Sequence, residues 1–378
     1  MTGSELMVRS GQVVALRLFD LANEIDLKRA ETLWARRPES ASTQGASTRS
    51  RLVRTPAKAV AFGVAPLTLE FGTVALDIGA ARIDAAVGVR LYDFGIAALS
   101  LRLPVQDLSW SRFTRLVNRT DQAVGPAAPA DVWEGVLAKL RGLLGDALDH
   151  PTAVPLQEDY LLAVVDAFEE PITAEALQQR ADLIPLLAGE ERPLSEGARR
   201  DLLRHRFSYY PDDLVAITWD RAFIYEPRHE TDVADVLEMA NAQLLEMRTY
   251  DEMLDAELPR MRDMAEAARR HTNFLAARRY ARLARGLHSL VAEVSELAER
   301  VDNALQVTED VYLARVYAAA MDLFRVPNVS AAVDRKLAII RATYTALHDE
   351  AAGARAELLE IVILVLIAVE IVVSLLRA

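Results

Sequence analysis

The residues able to do chemistry are few and scattered. Six histidines occur, at positions 150, 205, 229, 271, 288 and 348, and no two are three or four residues apart. A helix-borne metal site needs that spacing to put two ligands on one face, so no metal ligand is assigned. Cysteine is absent, which excludes disulfides, thiol nucleophiles and Cys-based zinc or iron–sulfur sites. The glycines form no GxGxxG or P-loop pattern, so no nucleotide cofactor is signalled. Asp93, Asp212, Asp213 and Asp220 have the side chains for acid–base work. Each also stands in a turn-like context, where a carboxylate bonds its own backbone, and turn formation accounts for all four. No catalytic residue and no cofactor follow. The chain reads as non-enzymatic, with a distributed active site as the open alternative.

Two charge patterns carry more information. The segment ARRHTNFLAARRYARLARG places His271, Arg278, Arg282 and Arg285 on one helical stripe. Such a stripe grips RNA phosphates or anionic lipid heads, or it pairs with acids of a neighbouring helix such as Asp251, Glu252, Glu293 and Glu296. The net charge of −12 favours pairing over nucleic acid.

The second pattern is LLEIVILVLIAVEIVVSLL, Leu358–Leu376, in which fifteen of nineteen residues are Leu, Ile or Val. A helix of that length spans about 28 Å, against a hydrocarbon core of about 30 Å. Insertion of those fifteen residues contributes roughly −5 kcal/mol and a central charge costs roughly +3. Glu360, Ile363, Ile367, Glu370 and Ser374 recur at spacings of 3, 4, 3 and 4 and form one mixed polar seam. A polar seam in lipid faces another helix. The expectation is a C-terminal transmembrane helix that pairs through this seam. The opposing expectation is a buried helix of a soluble bundle.

The elements that must position these residues divide into a mixed part and a helical part. Gln12–Phe19 and Asp159–Phe168 have the β-branched, apolar character of strands. Asp26–Ala35 and Thr173–Ile184 read as helices capped by Asp26 and Thr173. Ser109–Ala123 and Val132–Leu144 read as amphipathic helices, the second begun by a capping box of Asp131 and Glu134. Hairpins are predicted at Ala85–Leu103, closed by Pro104, and at Leu214–Tyr225. Pro38–Thr55, rich in Ser, Thr and Arg, reads as a loop. The order strand, helix, hairpin occurs twice, which suggests a duplicated α+β unit over 1–228. From Thr231 the period is helical, with breaks at Pro259, near Gly286 and at Pro327. Residues 229–357 form a long-helix bundle or coiled-coil stalk, and the last helix begins at Ser330. The fold class expected is α+β, followed by a helical stalk and the transmembrane helix at 358–376.

Leu358–Val372, Asp334–Leu347 (DRKLAIIRATYTAL), Val311–Phe324 (VYLARVYAAAMDLF), Asp212–Pro227 and Arg90–Leu99 together resemble the required-for-meiotic-nuclear-division family. This is a sporulation-linked membrane family, a domain of unknown function. The resemblance implies a membrane-anchored, non-enzymatic body. Its mitochondrial members are associated with tethering the organelle's translation machinery at the inner membrane.

The function expected is a membrane-anchored scaffold or tether. It would present a cytoplasmic α+β domain to an unidentified protein partner and homo-oligomerise through its stalk and tail. The partners implied are the lipid bilayer and a second copy. Low lysine, abundant alanine and the lack of a signal peptide place it at a bacterial inner (cytoplasmic) membrane, single-pass, with the body in the cytoplasm. The alternative is a tether that contacts RNA or the ribosome through the 269–285 stripe.

Overall fold

Strand β1, Met7–Asp20, is the axis of a nine-stranded sheet. The computed structural model describes residues 5–37, 48–49, 64–190, 192–228, 232–269, 292 and 310–377. After β1 come β2 (Ala22–Ile25), α1 (Leu27–Ala35), β3 (Thr48–Arg49), β4 (Leu67–Ile78), β5 (Ala81–Leu91) and β6 (Ile96–Ser109). Helices α2 (Trp110–Val124) and α3 (Asp131–Leu144) lead to β7 (Leu148–Pro151) and β8 (Gln157–Phe168). Short helices α4 (Ala174–Arg180), α5 (Ile184–Ala188) and α6 (Glu196–Leu202) precede β9 (Arg206–Phe207), β10 (Leu214–Ile217) and β11 (Arg221–Tyr225). Three helices follow: α7 (Asp232–Arg269), α8 (Val311–Leu323) and α9 (Val326–Arg377).

The large sheet runs β3-β4-β5-β6-β1-β8-β11-β10-β9, and β2 pairs with β7 in a small second sheet. Side chains alternate between faces along a strand. Val13, Ala15, Arg17 and Phe19 therefore share one face of β1, and Val14, Leu16 and Leu18 the other. All are buried, so this part of β1 is covered on both sides, with Arg17 the one charge in an otherwise apolar run. On the first face, Phe113 and Val117 of α2, Trp133 and Leu140 of α3, and Leu177 and Leu186 join one core with β1, β6, β8 and β11. On the second face, Tyr160 of β8 stacks edge-on against Phe324 just after α8, with ring centroids 5.4 Å apart.

The chain forms two compact units: 1–246 with 300–327, and 247–299 with 328–378. The second is helical among its described residues. Leu254, Val333, Leu337 and Ile340 are buried there, and Lys336 Nζ reaches Asp251 Oδ1 at 2.6 Å and Asp255 Oδ1 at 2.7 Å.

Several expectations change. The two strand–helix–hairpin segments lie in a single sheet and close differently. Strand β6 is antiparallel to β1, whereas β11 is parallel to β8. Strand β6 runs through Pro104, which pairs with Gln12; its ladder to β5 ends at Arg102, and a strand tolerates proline where one side is an edge. Helix α7 likewise continues through Pro259, a position that forfeits a backbone hydrogen bond and costs about 3 kcal/mol. Helix α9 begins at Val326, ahead of Ser330, with Pro327 in its first turn, where the missing N–H costs nothing. The residue preceding α3 is Ala130, so Asp131 is the first helical residue and not a cap.

Among the described residues no helix is long and apolar enough to cross a membrane, and the expected transmembrane helix gains no support there. What is described is a 52-residue helix, α9, whose C-terminal part exposes large apolar side chains.

Candidate functional site

The polar residues set deepest in the sheet lie on its first face, under the C-terminal half of α2. Arg17 stands opposite Asp159 in the β1–β8 ladder, and its Nε donates to the Asp159 carboxylate. Its Nη2 reaches the Val124 carbonyl at 3.3 Å, and its guanidinium lies 5.1 Å from the centre of the Trp133 ring. Trp133 Nε1 donates to the same carbonyl at 2.7 Å. Burial raises the Asp159 pKa, and the neighbouring Arg17 charge opposes that rise.

Arg221 is the second cation of this face, with a side chain 5% exposed. Its Nη2 donates to Asp121 Oδ2 at 2.8 Å, and its Nη1 to Asn118 Oδ1 and to the Leu186 carbonyl, each at 3.1 Å. Its Nε lies 3.3 Å from Asp220 Oδ2. Gly189, in the left-handed region at φ +69°, passes so close that a Cβ there would sit 2.7 Å from Nη2. The Arg221 carbonyl accepts from Tyr160 Oη at 3.1 Å and from Thr218 Oγ1 at 2.8 Å. With every nitrogen of Arg221 engaged by protein groups, the cluster ties α2, α5 and β11 together. It does not offer a substrate a place.

The opposite face holds a smaller cluster. Arg90 of β5 meets Asp235 Oδ1 at 2.9 Å and Glu238 Oε1 at 3.3 Å, both carboxylates borne by α7. Tyr92 Oη donates to Glu238 Oε1 at 2.6 Å. Burial raises the pKa of Glu238, with Arg90 opposing, and raises that of Tyr92. This cluster docks the start of α7 on the sheet.

Of the anticipated turn acids, Asp213 and Asp220 bond to their own neighbourhood, whereas Asp212 meets Arg228 Nη2 at 3.4 Å. Asp213 accepts from the backbone N–H groups of Tyr209 and Tyr210 at 2.7 and 2.9 Å, and Asp220 Oδ1 lies 3.1 Å from Thr218 Oγ1. Among the described residues no three His, Asp or Glu side chains are grouped to hold a metal ion. His271, Arg278, Arg282 and Arg285 lie outside the described residues.

The tail is the remaining candidate. Glu360, Ile363, Ile367 and Glu370 are exposed on α9, while the side chain of Ser374 lies outside the described residues. Exposure is not confined to the seam. Ile363, Leu364, Val365, Leu366, Ile367, Val369, Ile371 and Val373 are all between 42% and 65% exposed. An exposed apolar surface of this kind marks an interaction site. It can take up lipid or a second helix.

The buried network was missed from the sequence. Arg17 interrupts the otherwise apolar segment Gln12–Phe19. Its signal is a cation at a core-facing position of a strand, because a buried guanidinium requires a carboxylate opposite it.

A family model described as "Uncharacterized protein MJ0711, N-terminal domain" matches residues 10–232. The uncharacterized protein MJ0711 of Methanocaldococcus jannaschii is 23% identical over 219 residues, which are 58% of this chain and 66% of that protein. The family match does not reach the tail and stalk segments that carry most of the resemblance to the meiotic nuclear division family. No solved structure matches the chain.

Proposed function

The chain belongs to the family of the MJ0711 N-terminal domain, and on that footing we propose that it is a non-enzymatic, membrane-anchored scaffold. The family is uncharacterized and brings no activity with it. One observation carries the reading: eight large aliphatic side chains near the end of α9 are exposed together. Leaving each half-exposed to water costs on the order of 1 kcal/mol, and a bilayer would remove that cost. The described side chains alone fall short of a membrane-length span, but the sequence supplies fifteen Leu, Ile or Val residues among the nineteen of Leu358–Leu376. The resemblance to the required-for-meiotic-nuclear-division membrane family points the same way.

On this reading the sheet domain is the presented body and α9 is the anchor. Glu370 and its seam pair the anchor with that of a second copy, since an acidic side chain in lipid seeks a polar partner. The closed hydrogen bonding of the Arg17 and Arg221 cluster supports a rigid presenting body in place of an enzyme. Sedimentation of the full chain with membranes after carbonate washing, against a chain ending at Glu357, tests the anchor.

A further inference from the structure

Outside both buried clusters, a cleft of about 550 Å³ opens between α2 and the end of the β4–β5–β6 ladder. Its wall includes the apolar residues Ile83, Leu108 and Leu116, and one rim is a row of arginines, Arg112, Arg115 and Arg119. Their spacing of three and four residues puts all three on one ridge of α2, about 10 Å long at about 1.5 Å rise per residue.

The charges on this ridge are mostly uncommitted. Arg115 Nε donates to the Ser111 carbonyl at 3.3 Å, and Glu5, held by the Ser111 N–H at 2.9 Å, lies close enough to feel its charge. Arg112 and Arg119 have no ion-pair partner among the described residues. Arg119 packs over the β4–β5 turn at Gly79, where a Cβ would stand 3.0 Å from its Nη1. In a chain of net charge −12, three neighbouring cations beside an apolar wall concentrate a local positive field.

We propose that this cleft binds an organic phosphate, its anionic group on the arginine ridge and its apolar body against Ile83, Leu108 and Leu116. A guanidinium presents a planar fork of donors matched to phosphate oxygens. A phosphate has enough terminal oxygens to engage two neighbouring arginines, whereas a carboxylate fills one fork. The apolar wall distinguishes an organic phosphate from inorganic phosphate, as small-molecule sites combine apolar lining with a few polar anchors. The site lies wholly within the first unit and does not depend on the tail reading.

The test titrates the full chain in nonionic detergent with hexyl phosphate, with monomeric dihexanoyl phosphatidylglycerol, with inorganic phosphate and with hexanol, following thermal stability. Saturable stabilisation by one of the two organic phosphates is expected, with inorganic phosphate and hexanol weaker. Preference for hexyl phosphate assigns a free phosphate monoester, and preference for the phosphatidylglycerol a lipid headgroup. The double variant Arg112→Gln, Arg119→Gln changes only exposed side chains. It should keep the parent melting temperature without ligand and bind roughly tenfold or more weakly. Equal affinity of the variant and the parent, or hexanol binding as well as hexyl phosphate, would overturn the proposal. Loss of membrane sedimentation with hexyl phosphate binding intact would remove the anchor and leave this site standing.

Discussion

Asp121 Oδ2 and Arg221 Nη2 stand 2.8 Å apart although 100 residues separate them in the chain. The pair fastens the last turn of α2 to the first residue of β11. Asn118, the Leu186 carbonyl and Asp220 complete the guanidinium's shell. A shell this complete makes the first unit depend on one cation.

Arg221→Ala should lower the unfolding free energy by about 3–5 kcal/mol, because it strands buried acceptors and a carboxylate without their partner. Urea denaturation followed by circular dichroism reads the change. Arg221→Lys should recover only part of it, since one ammonium cannot take the place of a guanidinium that serves four acceptors. A loss below about 1 kcal/mol for Arg221→Ala would show that the network is incidental.

Gly189→Ala should destabilise by about 1–3 kcal/mol. The residue sits at φ +69°, and the added methyl would meet Arg221 Nη2 at 2.7 Å. Coupling is the diagnostic: in the Arg221→Ala background the steric part should vanish and only the backbone part remain, in a double-mutant cycle.

Glu238 sets a pH dependence whose sign is fixed by burial. Its pKa lies above the ordinary 4.5 because burial disfavours the charged form, with Arg90 opposing. A carboxyl that holds its proton more tightly when folded contributes stability that is complete below its unfolded pKa. That contribution is lost as pH rises through the folded pKa. Glu238→Gln keeps an acceptor for Tyr92 and should flatten the decline in melting temperature above pH 4.5. An identical pH profile for the two proteins would show that Glu238 carries no such proton.

Much of the sheet could be read from residue types. The β-branched runs of β1, β8 and the β10–β11 hairpin, and the capping residues Asp26 and Thr173, announce themselves locally. Local signals fail where neighbours decide. Pro104 looks like a terminator, yet it is accommodated in β6 beyond the last β5 pairing. Pro259 looks like a break, yet α7 continues through it. The parallel β8–β11 pairing cannot be seen in either strand alone. The charge networks depend on partners 100 or more residues apart, which no window contains. The arginine ridge of α2 carries no motif of its own in the sequence, and only the cleft beside it gives the spacing of Arg112, Arg115 and Arg119 a meaning.

Glu370→Leu should leave membrane partition unchanged and abolish crosslinked oligomers, because it removes the polar centre of the proposed pairing seam. Crosslinking in detergent, resolved on denaturing gels, reads the difference. An oligomer ladder identical to the parent's would remove the seam from the interface.

The anchor itself is tested most directly by vesicle flotation of the full chain beside a chain ending at Glu357, both in neutral phosphatidylcholine vesicles. The full chain should float with the vesicles after an alkaline wash, and the shortened chain should stay in the dense fraction while keeping its folded circular dichroism spectrum. A full chain that stays in the dense fraction, or a shortened chain that floats equally well, would contradict a membrane role for the end of α9.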